Sequence, residues 1–221
     1  KIKRKLNYLN KSGVIYKMSF SKHRPKMSSV KNNLMEEEED EVTVNIYTMN
    51  NRIYFYDDIN KFSALRLRVE LETLANKTEY IASTNNIDPI PIYLYINSEG
   101  GEVGSALAIV DYILNCRVPV YTVIEGEACS AATLISIVGD RRFMTKNSHM
   151  LIHQVRGGLW GRMNECEDEM KNIKTFNNKL IKLYKKYTDI PETKLEKILK
   201  KDISWSSKTC LKLGLIDEIL E

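Results

Sequence analysis

Residues 92–111, IYLYINSEGGEVGSALAIVD, decide the fold class of this 221-residue chain. The segment begins with an unbroken run of β-branched, aliphatic and aromatic residues, which is typical of a parallel strand buried on both faces. The glycine pair Gly100-Gly101 follows as a strong turn signal, and the apolar spacing after it predicts a helix over Val103–Leu114. Strand, glycine turn and helix in this order indicate a parallel βαβ unit and therefore an α/β fold.

The same alternation extends to both sides of this segment. Upstream, the sequence predicts a strand at residues 52–56, a helix at 65–74 and a polar loop at 76–88. Downstream, it predicts a strand at 120–124, a short apolar helix at 130–138, and short strands around Phe143 and at 150–152. A long charged amphipathic helix is predicted over residues 162–187. Pro191 suits the first turn of another helix, Ser206 or Ser207 could cap the last helix, and Gly214 would end it.

Charge is distributed unevenly along the chain. Residues 1–33 hold ten Lys and Arg and no acid, and an acidic run covers residues 36–41. We therefore expect a charged tail over residues 1–41 and a folded domain over 42–221.

The rest of the chain after residue 33 has 23 basic and 29 acidic side chains, which argues against a nucleic-acid-binding surface. No apolar run approaches the roughly 18 residues of a membrane span, so we expect no membrane association and a cytoplasmic protein. An organelle lumen is the alternative if the basic tail is a targeting remnant.

The four cysteines are Cys116, Cys129, Cys166 and Cys210. No pair has CxxC spacing, so the sequence supports neither a zinc ribbon nor a redox motif, and reduced thiols are expected.

A serine lies where the second predicted strand meets an apolar helix, in Gly126-Glu127-Ala128-Cys129-Ser130-Ala131-Ala132. Small neighbours leave room for a substrate carbonyl, and a helix N-terminus supplies free N–H groups. Because a serine alone is a weak nucleophile, it needs an adjacent base. The alternative is that Ser130 only caps the helix.

Two further polar residues could serve such a serine. His153 ends the apolar run Met150-Leu151-Ile152, and it is either a base at the edge of the sheet or a buried, hydrogen-bonded histidine. A zinc site would pair it with His149, but the sequence shows no third ligand. Asp202 precedes Trp205, and it is either an ordinary turn residue or the carboxylate that orients an imidazole.

The glycine pair after the buried strand offers backbone N–H groups to a ligand. Such donors form an oxyanion hole, although the pair could also be only a tight turn. A phosphate-binding loop is not supported, since the sequence contains neither G-x-x-x-x-G-K-[ST] nor G-x-G-x-x-G.

Together, these motifs resemble the proteolytic subunit of the Clp protease, the ClpP family. The resemblance covers residues 42–221 and is strongest at 92–111, 126–153 and 201–220. The order Ser130, His153, Asp202 follows the family's triad order. The resemblance implies a ClpP/crotonase-like fold of repeated β-β-α units, with the helix at 162–187 as a protruding handle.

The resemblance also implies roles for individual residues. Ser130 would be the nucleophile, His153 the general base and then acid, and Asp202 the group that holds the imidazole tautomer. The N–H groups of Gly101 and Ala131 match the positions of the oxyanion hole. Arg156, Gly157 and Gly158 resemble the strand that pairs with the substrate backbone.

The family further implies an oligomer of paired seven-membered rings that encloses the active sites. In that family, a partner AAA+ ATPase feeds unfolded polypeptides into the chamber. ATP is used by that partner, and neither a cofactor nor a metal is expected in this chain.

Several positions depart from the usual family pattern, and other functions remain open. Ala131-Ala132 replaces Met-Gly, Val155 and Glu99 each replace a proline, and Glu125 and Thr145 fall on the normally apolar ATPase-docking surface. The main alternative is a non-catalytic, ClpR-type structural subunit of a mixed ring. An acyl-CoA enzyme of the crotonase type and a Ser–Lys peptidase are further alternatives.

Overall fold

The computed structural model describes residues 45–221. Within this range the chain is a mixed α/β domain in which a twisted sheet carries helices. The strands are β1 (Ile46–Met49), β2 (Arg52–Phe55), β3 (Ile92–Ser98), β4 (Val120–Cys129), β5 (Arg141–Thr145), β6 (His149–Leu151), β7 (Ser204–Ser206) and β8 (Glu218–Leu220). The helices are α1 (Lys61–Asn85), α2 (Val103–Leu114), α3 (Ala131–Ser136), α4 (Met163–Tyr187), α5 (Glu192–Leu199) and α6 (Ser207–Lys212).

The strand order confirms the parallel βαβ prediction. The main path is β1-β2-β3-β4-β5-β8, and all of its pairs are parallel except β1 with β2. The helix predicted at Val103–Leu114 is confirmed at its predicted bounds. Buried residues alternate along β3, and the other side of that strand carries partly buried tyrosines rather than a second fully buried face.

Strand β4 has two different partners, and this arrangement builds the site. Its first half pairs with β5, from Tyr121 to Ile124, whereas its last three residues pair with β6. The strand is therefore longer than the predicted run at 120–124. Because β6 in turn pairs with β7 in antiparallel orientation, a small second layer of strands leaves the main sheet where β4 ends.

One predicted loop is wrong. Residues 76–85 continue helix α1, which ends only at Asn86 in the left-handed conformation. The sequence pattern was misleading because the buried face of this part of the helix uses the small residues Thr78 and Ala82. The Thr78 hydroxyl donates to the Leu74 carbonyl at 2.9 Å, which satisfies a polar group that would otherwise oppose burial.

The remaining helix predictions hold within one or two residues. The long helix α4 extends from Met163 to Tyr187, and α5 begins after Pro191. Ser206 occupies the N-cap position of α6 without a side-chain cap bond, and Gly214 follows the helix with a φ of 63°. The predicted boundary between a tail at 1–41 and the domain at 42–221 lies outside the described residues. Within residues 45–221, every helix is too short or too polar to span a bilayer.

Candidate active site

Ser130 lies on a strained turn between β4 and α3. Its φ of 60° and ψ of −123° are rare for a residue with a side chain. The residue occupies the N-cap position, but its side chain makes no cap hydrogen bond. The capping interpretation of this serine is therefore wrong, and the hydroxyl is directed elsewhere.

Strand pairing brings His153 to that hydroxyl. Cys129 and Leu151 are partners in the β4–β6 ladder, and the Ser130 amide donates to the Leu151 carbonyl at 2.7 Å. Two residues later, His153 Nε2 lies 2.6 Å from Ser130 Oγ. Both side chains are nearly inaccessible, at 2% and 3% exposure, so the pair is held by packing on all sides.

Asp202 is near the imidazole but is not hydrogen-bonded to it. Its Oδ1 lies 3.4 Å from His153 Nδ1, which has no hydrogen-bond partner among the described residues. The other carboxylate oxygen accepts from the Arg156 guanidinium. Asp202 is 47% exposed, and it lies between α5 and β7. Its position is therefore set as much by Arg156 as by the imidazole.

The surroundings of His153 favour the neutral imidazole. Burial is the main cause that lowers its pKa from the ordinary 6.5, and the positive charge of Arg156 lowers it further, whereas Asp202 opposes both. A neutral imidazole can accept the hydroxyl proton of Ser130, which is the arrangement by which an adjacent base activates a serine.

The glycine pair packs directly against the serine turn. A Cβ on Gly100 would lie 2.8 Å from Ser130 Cβ and 3.0 Å from the Ala131 nitrogen. A Cβ on Gly101 would overlap the Ile59 carbonyl oxygen at 2.0 Å. Both glycines have positive φ values, 101° and 147°. Only glycine fits either position, and Gly100 lies beside the start of α3.

The connection to Ile59 fixes this turn. The Ile59 amide donates to the Gly100 carbonyl, and the Glu102 amide donates to the Ile59 carbonyl, both at 2.7 Å. These two bonds hold the glycine turn between the α1 entry and the serine turn. A serine, a neutral imidazole and a fixed glycine turn together can support acyl transfer with an oxyanion intermediate.

A family model for the Clp protease matches residues 37–221. The chain belongs to the Clp protease family. Among curated relatives, a proteolytic subunit of the ATP-dependent Clp protease from Deinococcus radiodurans is 35% identical over 132 residues, 59% of this chain and 65% of the relative. Proteolytic subunit 2 of the same protease from Treponema denticola is 37% identical over 131 residues, 58% of this chain and 66% of the relative. The match thus spans just under two thirds of each relative.

The family match confirms the resemblance to the ClpP family, and the mixed α/β sheet is consistent with the fold that this resemblance implied. The structure brings Ser130, His153 and Asp202 close together. Gly100, the neighbour of Gly101, packs against Ser130 and Ala131. The catalytic roles assigned to them stay predictions. The long helix expected as the handle is present as α4.

The segment compared with a substrate-binding strand is not a strand in this structure. Arg156, Gly157 and Gly158 lie outside the sheet, and the two glycines are exposed. Their pairing with a substrate stays a prediction. The Arg156 guanidinium binds Asp202. This contact was not predicted from the sequence, because the two residues are 46 positions apart.

Two further features of this chain were not identified from the sequence. The Thr133 hydroxyl lies 2.5 Å from both the Ser130 carbonyl and the Tyr184 hydroxyl, so α4 supports the serine turn.

The second feature is a cluster of Glu127, Cys129 and His149, whose potential metal-ligand atoms lie within 4.8 Å of one another. The spacing of Glu127 and Cys129 in the sequence shows that they share one face of β4. The proximity of His149 could not be predicted, because it depends on the register between β4 and β6.

Proposed function

We propose that the chain is a serine endopeptidase of the Clp type. The observation that carries the proposal is the 2.6 Å contact between Ser130 Oγ and His153 Nε2 in a buried site. In this mechanism His153 takes the hydroxyl proton while Ser130 Oγ bonds to the scissile carbonyl carbon. His153 then gives the proton to the leaving amine, and water later reverses the same steps to release the acid.

Backbone groups would stabilise the intermediate of this reaction. The negative charge that develops on the substrate carbonyl oxygen would be met by the N–H groups of Gly101 and Ala131. Asp202 would stabilise the imidazolium that forms. The mechanism requires no cofactor in this chain, because every proton transfer uses its own side chains.

The proposed substrates are unfolded polypeptides. The segment at Arg156, Gly157 and Gly158 follows His153 and has exposed glycines, and it would pair with an extended substrate. Main-chain pairing of this kind reads backbone more than side chains, and it therefore suits cleavage of many sequences.

We further propose that the chain acts in a ring assembly with a Clp ATPase. Large apolar side chains are exposed at the start of α4, with Trp160 at 93% and Met163 at 80% exposure, which supports burial against another subunit. A row of aromatic rings crosses β2, β3 and β4, where Tyr54 stacks on Tyr95 and Tyr93 meets Tyr121 edge-on. This row supports docking of a partner, although Glu125 adds a charge beside it by bonding Tyr56.

The experiment that tests the peptidase is hydrolysis of a short fluorogenic peptide by the wild-type chain and by Ser130→Ala. We expect the loss of the nucleophile to reduce kcat by about 10⁶-fold. Ser83→Ala on the exposed face of α1 is the matched control, and it should retain full activity. Hydrolysis retained in Ser130→Ala would contradict the assignment.

A non-catalytic, ClpR-type ring subunit is the second candidate. The exposed Asp202, bound to Arg156 rather than to His153, favours it. This candidate predicts a ring in light scattering with no hydrolysis by the wild-type chain. The peptidase proposal predicts a ring with hydrolysis, and a 25.6 kDa monomer under all salt conditions would contradict both.

A further inference from the structure

A cluster of three metal-ligating side chains lies on the sheet outside the Ser130–His153 pair. Glu127 and Cys129 are two residues apart on β4 and so project from the same face. His149 on β6 is the direct register partner of Glu127. One carboxylate, one thiol and one imidazole are thus brought together by two paired strands rather than by a loop.

Two of the three ligand–ligand distances in this cluster match a tetrahedral coordination sphere, and the third is within 4.8 Å. Glu127 Oε2 lies 3.5 Å from Cys129 Sγ and 3.2 Å from His149 Nε2, and all three ligand atoms lie within 4.8 Å of one another. In a tetrahedral zinc site, metal–ligand distances of about 2.0 Å for oxygen and nitrogen and 2.3 Å for sulfur imply ligand spacings of about 3.3–3.5 Å. We propose that Glu127, Cys129 and His149 form a three-ligand Zn²⁺ site.

The donor set selects the type of metal. A thiolate and an imidazole favour Zn²⁺ and disfavour Mg²⁺ and Ca²⁺, which prefer oxygen ligands. The fourth position would be taken by water, since Glu127 is 31% and His149 is 44% exposed. Glu127 also lines an open pocket of about 410 Å³ together with Asp57, Asp58 and Glu99. These acidic side chains raise the local concentration of cations at the site.

Zinc binding would release one proton, which comes from the Cys129 thiol. The Cys129 S–H bond breaks, an S–Zn bond forms, and the proton leaves to solvent. His149 binds through its Nε2 lone pair with the proton on Nδ1, and Glu127 binds as the carboxylate. Without a metal, burial chiefly, with the neighbouring Glu127 charge, raises the pKa of the Cys129 thiol to about 12, so the thiol is protonated at neutral pH.

The site would stabilise the pair of strands that carries the serine and the histidine. Cys129 is the residue before Ser130, and His149 lies four residues before His153. A metal that joins β4 to β6 at this point stabilises the folded state because it binds the unfolded chain less well. This role does not depend on peptidase activity.

Co²⁺ spectroscopy on the full chain, freed of metal with a chelator, tests the proposal. We expect one equivalent of Co²⁺ to give a thiolate-to-metal charge-transfer band and the intense visible bands of tetrahedral cobalt. One equivalent of Zn²⁺ should then displace it. Cys129→Ser should lose the charge-transfer band, whereas Cys166→Ser on α4, the matched control, should keep it.

Two variants of the exposed ligands keep the test independent of the buried thiol. Glu127→Gln and His149→Ala should each weaken Zn²⁺ affinity by more than the 10–100-fold typical of loss of an outer-shell partner. Both should also lose the rise in Tm that Zn²⁺ gives the wild-type chain. Absence of the charge-transfer band in the wild type, its retention in Cys129→Ser, or unchanged zinc affinity in both other variants would overturn the proposal.

Discussion

Ser130 and His153 lie at the ends of paired strands and are almost fully buried, whereas Asp202 lies between α5 and β7 and is 47% exposed. The first pair makes a 2.6 Å hydrogen bond. Asp202 lies 3.4 Å from His153 and is bound to Arg156. The proposed nucleophile and base are therefore held in place by the sheet, whereas the proposed orienting carboxylate lies on the surface and binds another partner, Arg156. Under the proposed mechanism, His153 would therefore depend on Asp202 less than Ser130 depends on His153.

The largest expected contrast is between removal of the base and removal of the orienting charge. We expect His153→Ala to reduce kcat by about 10⁶-fold and Asp202→Asn by about 10⁴-fold or less. The second loss should be smaller because Asp202 already shares its charge with Arg156. The measurement is kcat/KM and kcat on a fluorogenic peptide. Equal losses in the two variants would show that the exposed carboxylate is as tightly built into the site as the imidazole.

The glycine turn allows a matched test within the preorganised half. Gly101→Ala would place a methyl group 2.0 Å from the Ile59 carbonyl oxygen, which displaces the proposed oxyanion donor and should cost about 10²–10³ in kcat. Gly104→Ala meets no atom within 4 Å and lies in helix α2. It should leave kcat unchanged and stabilise the fold by roughly 0.5–1 kcal/mol. Similar kinetics for both variants, with circular dichroism showing both folded, would rule out this use of the turn.

Much of the preorganised half was predictable because its signals are local. The glycine pair follows a buried strand, the serine begins a short apolar helix, and the histidine ends an apolar run, so each could be placed from its own neighbours. The bounds of α2 followed from apolar spacing alone. Parallel strands then bring such residues to one edge of a sheet.

The exposed half was harder to predict because its contacts join distant parts of the sequence. Nothing local to Arg156 indicates that it binds Asp202, and the substrate-strand interpretation drew on a resemblance. The second half of α1 was missed because small residues replace large apolar ones on its buried face. The Glu127–Cys129–His149 cluster depends on the β4–β6 register, which cannot be predicted from the sequence of either strand alone.

The hydrogen bonds from Tyr184 through Thr133 to the serine turn should have a smaller effect, which is measured as the free energy of unfolding. Tyr184 is 1% exposed, and its hydroxyl meets that of Thr133, which in turn donates to the Ser130 carbonyl. Tyr184→Phe should lower the free energy of unfolding by about 1 kcal/mol. Tyr80→Phe, at a position 70% exposed, should change it very little. Urea unfolding of the two variants compares them, and an equal effect would remove α4 as a support of the serine turn.

The smallest expected effect is a shift in pH dependence at the exposed half. The proposed mechanism requires neutral His153, and burial and Arg156 together lower the pKa of its imidazole. Activity should therefore persist below the ordinary histidine pKa of 6.5. Arg156→Gln removes a positive charge and frees Asp202, so the pKa of His153 should rise and the acid limb of kcat/KM should move to higher pH.

A control and a contrary outcome complete this pH test. Arg162→Gln removes an exposed arginine that pairs with Glu165, and it should leave the profile unchanged. An acid limb that stays in place or moves to lower pH in Arg156→Gln would show that this arginine does not act on the imidazole.

If the buried Ser130–His153 pair works as nucleophile and base, a fluorophosphonate should react with Ser130. We would label the purified chain with this probe and map the adduct by mass spectrometry. We expect a single adduct on Ser130 that is absent in His153→Ala. A ring-forming wild-type chain with no adduct, or with the adduct on another residue, would show that the pair does not have these roles.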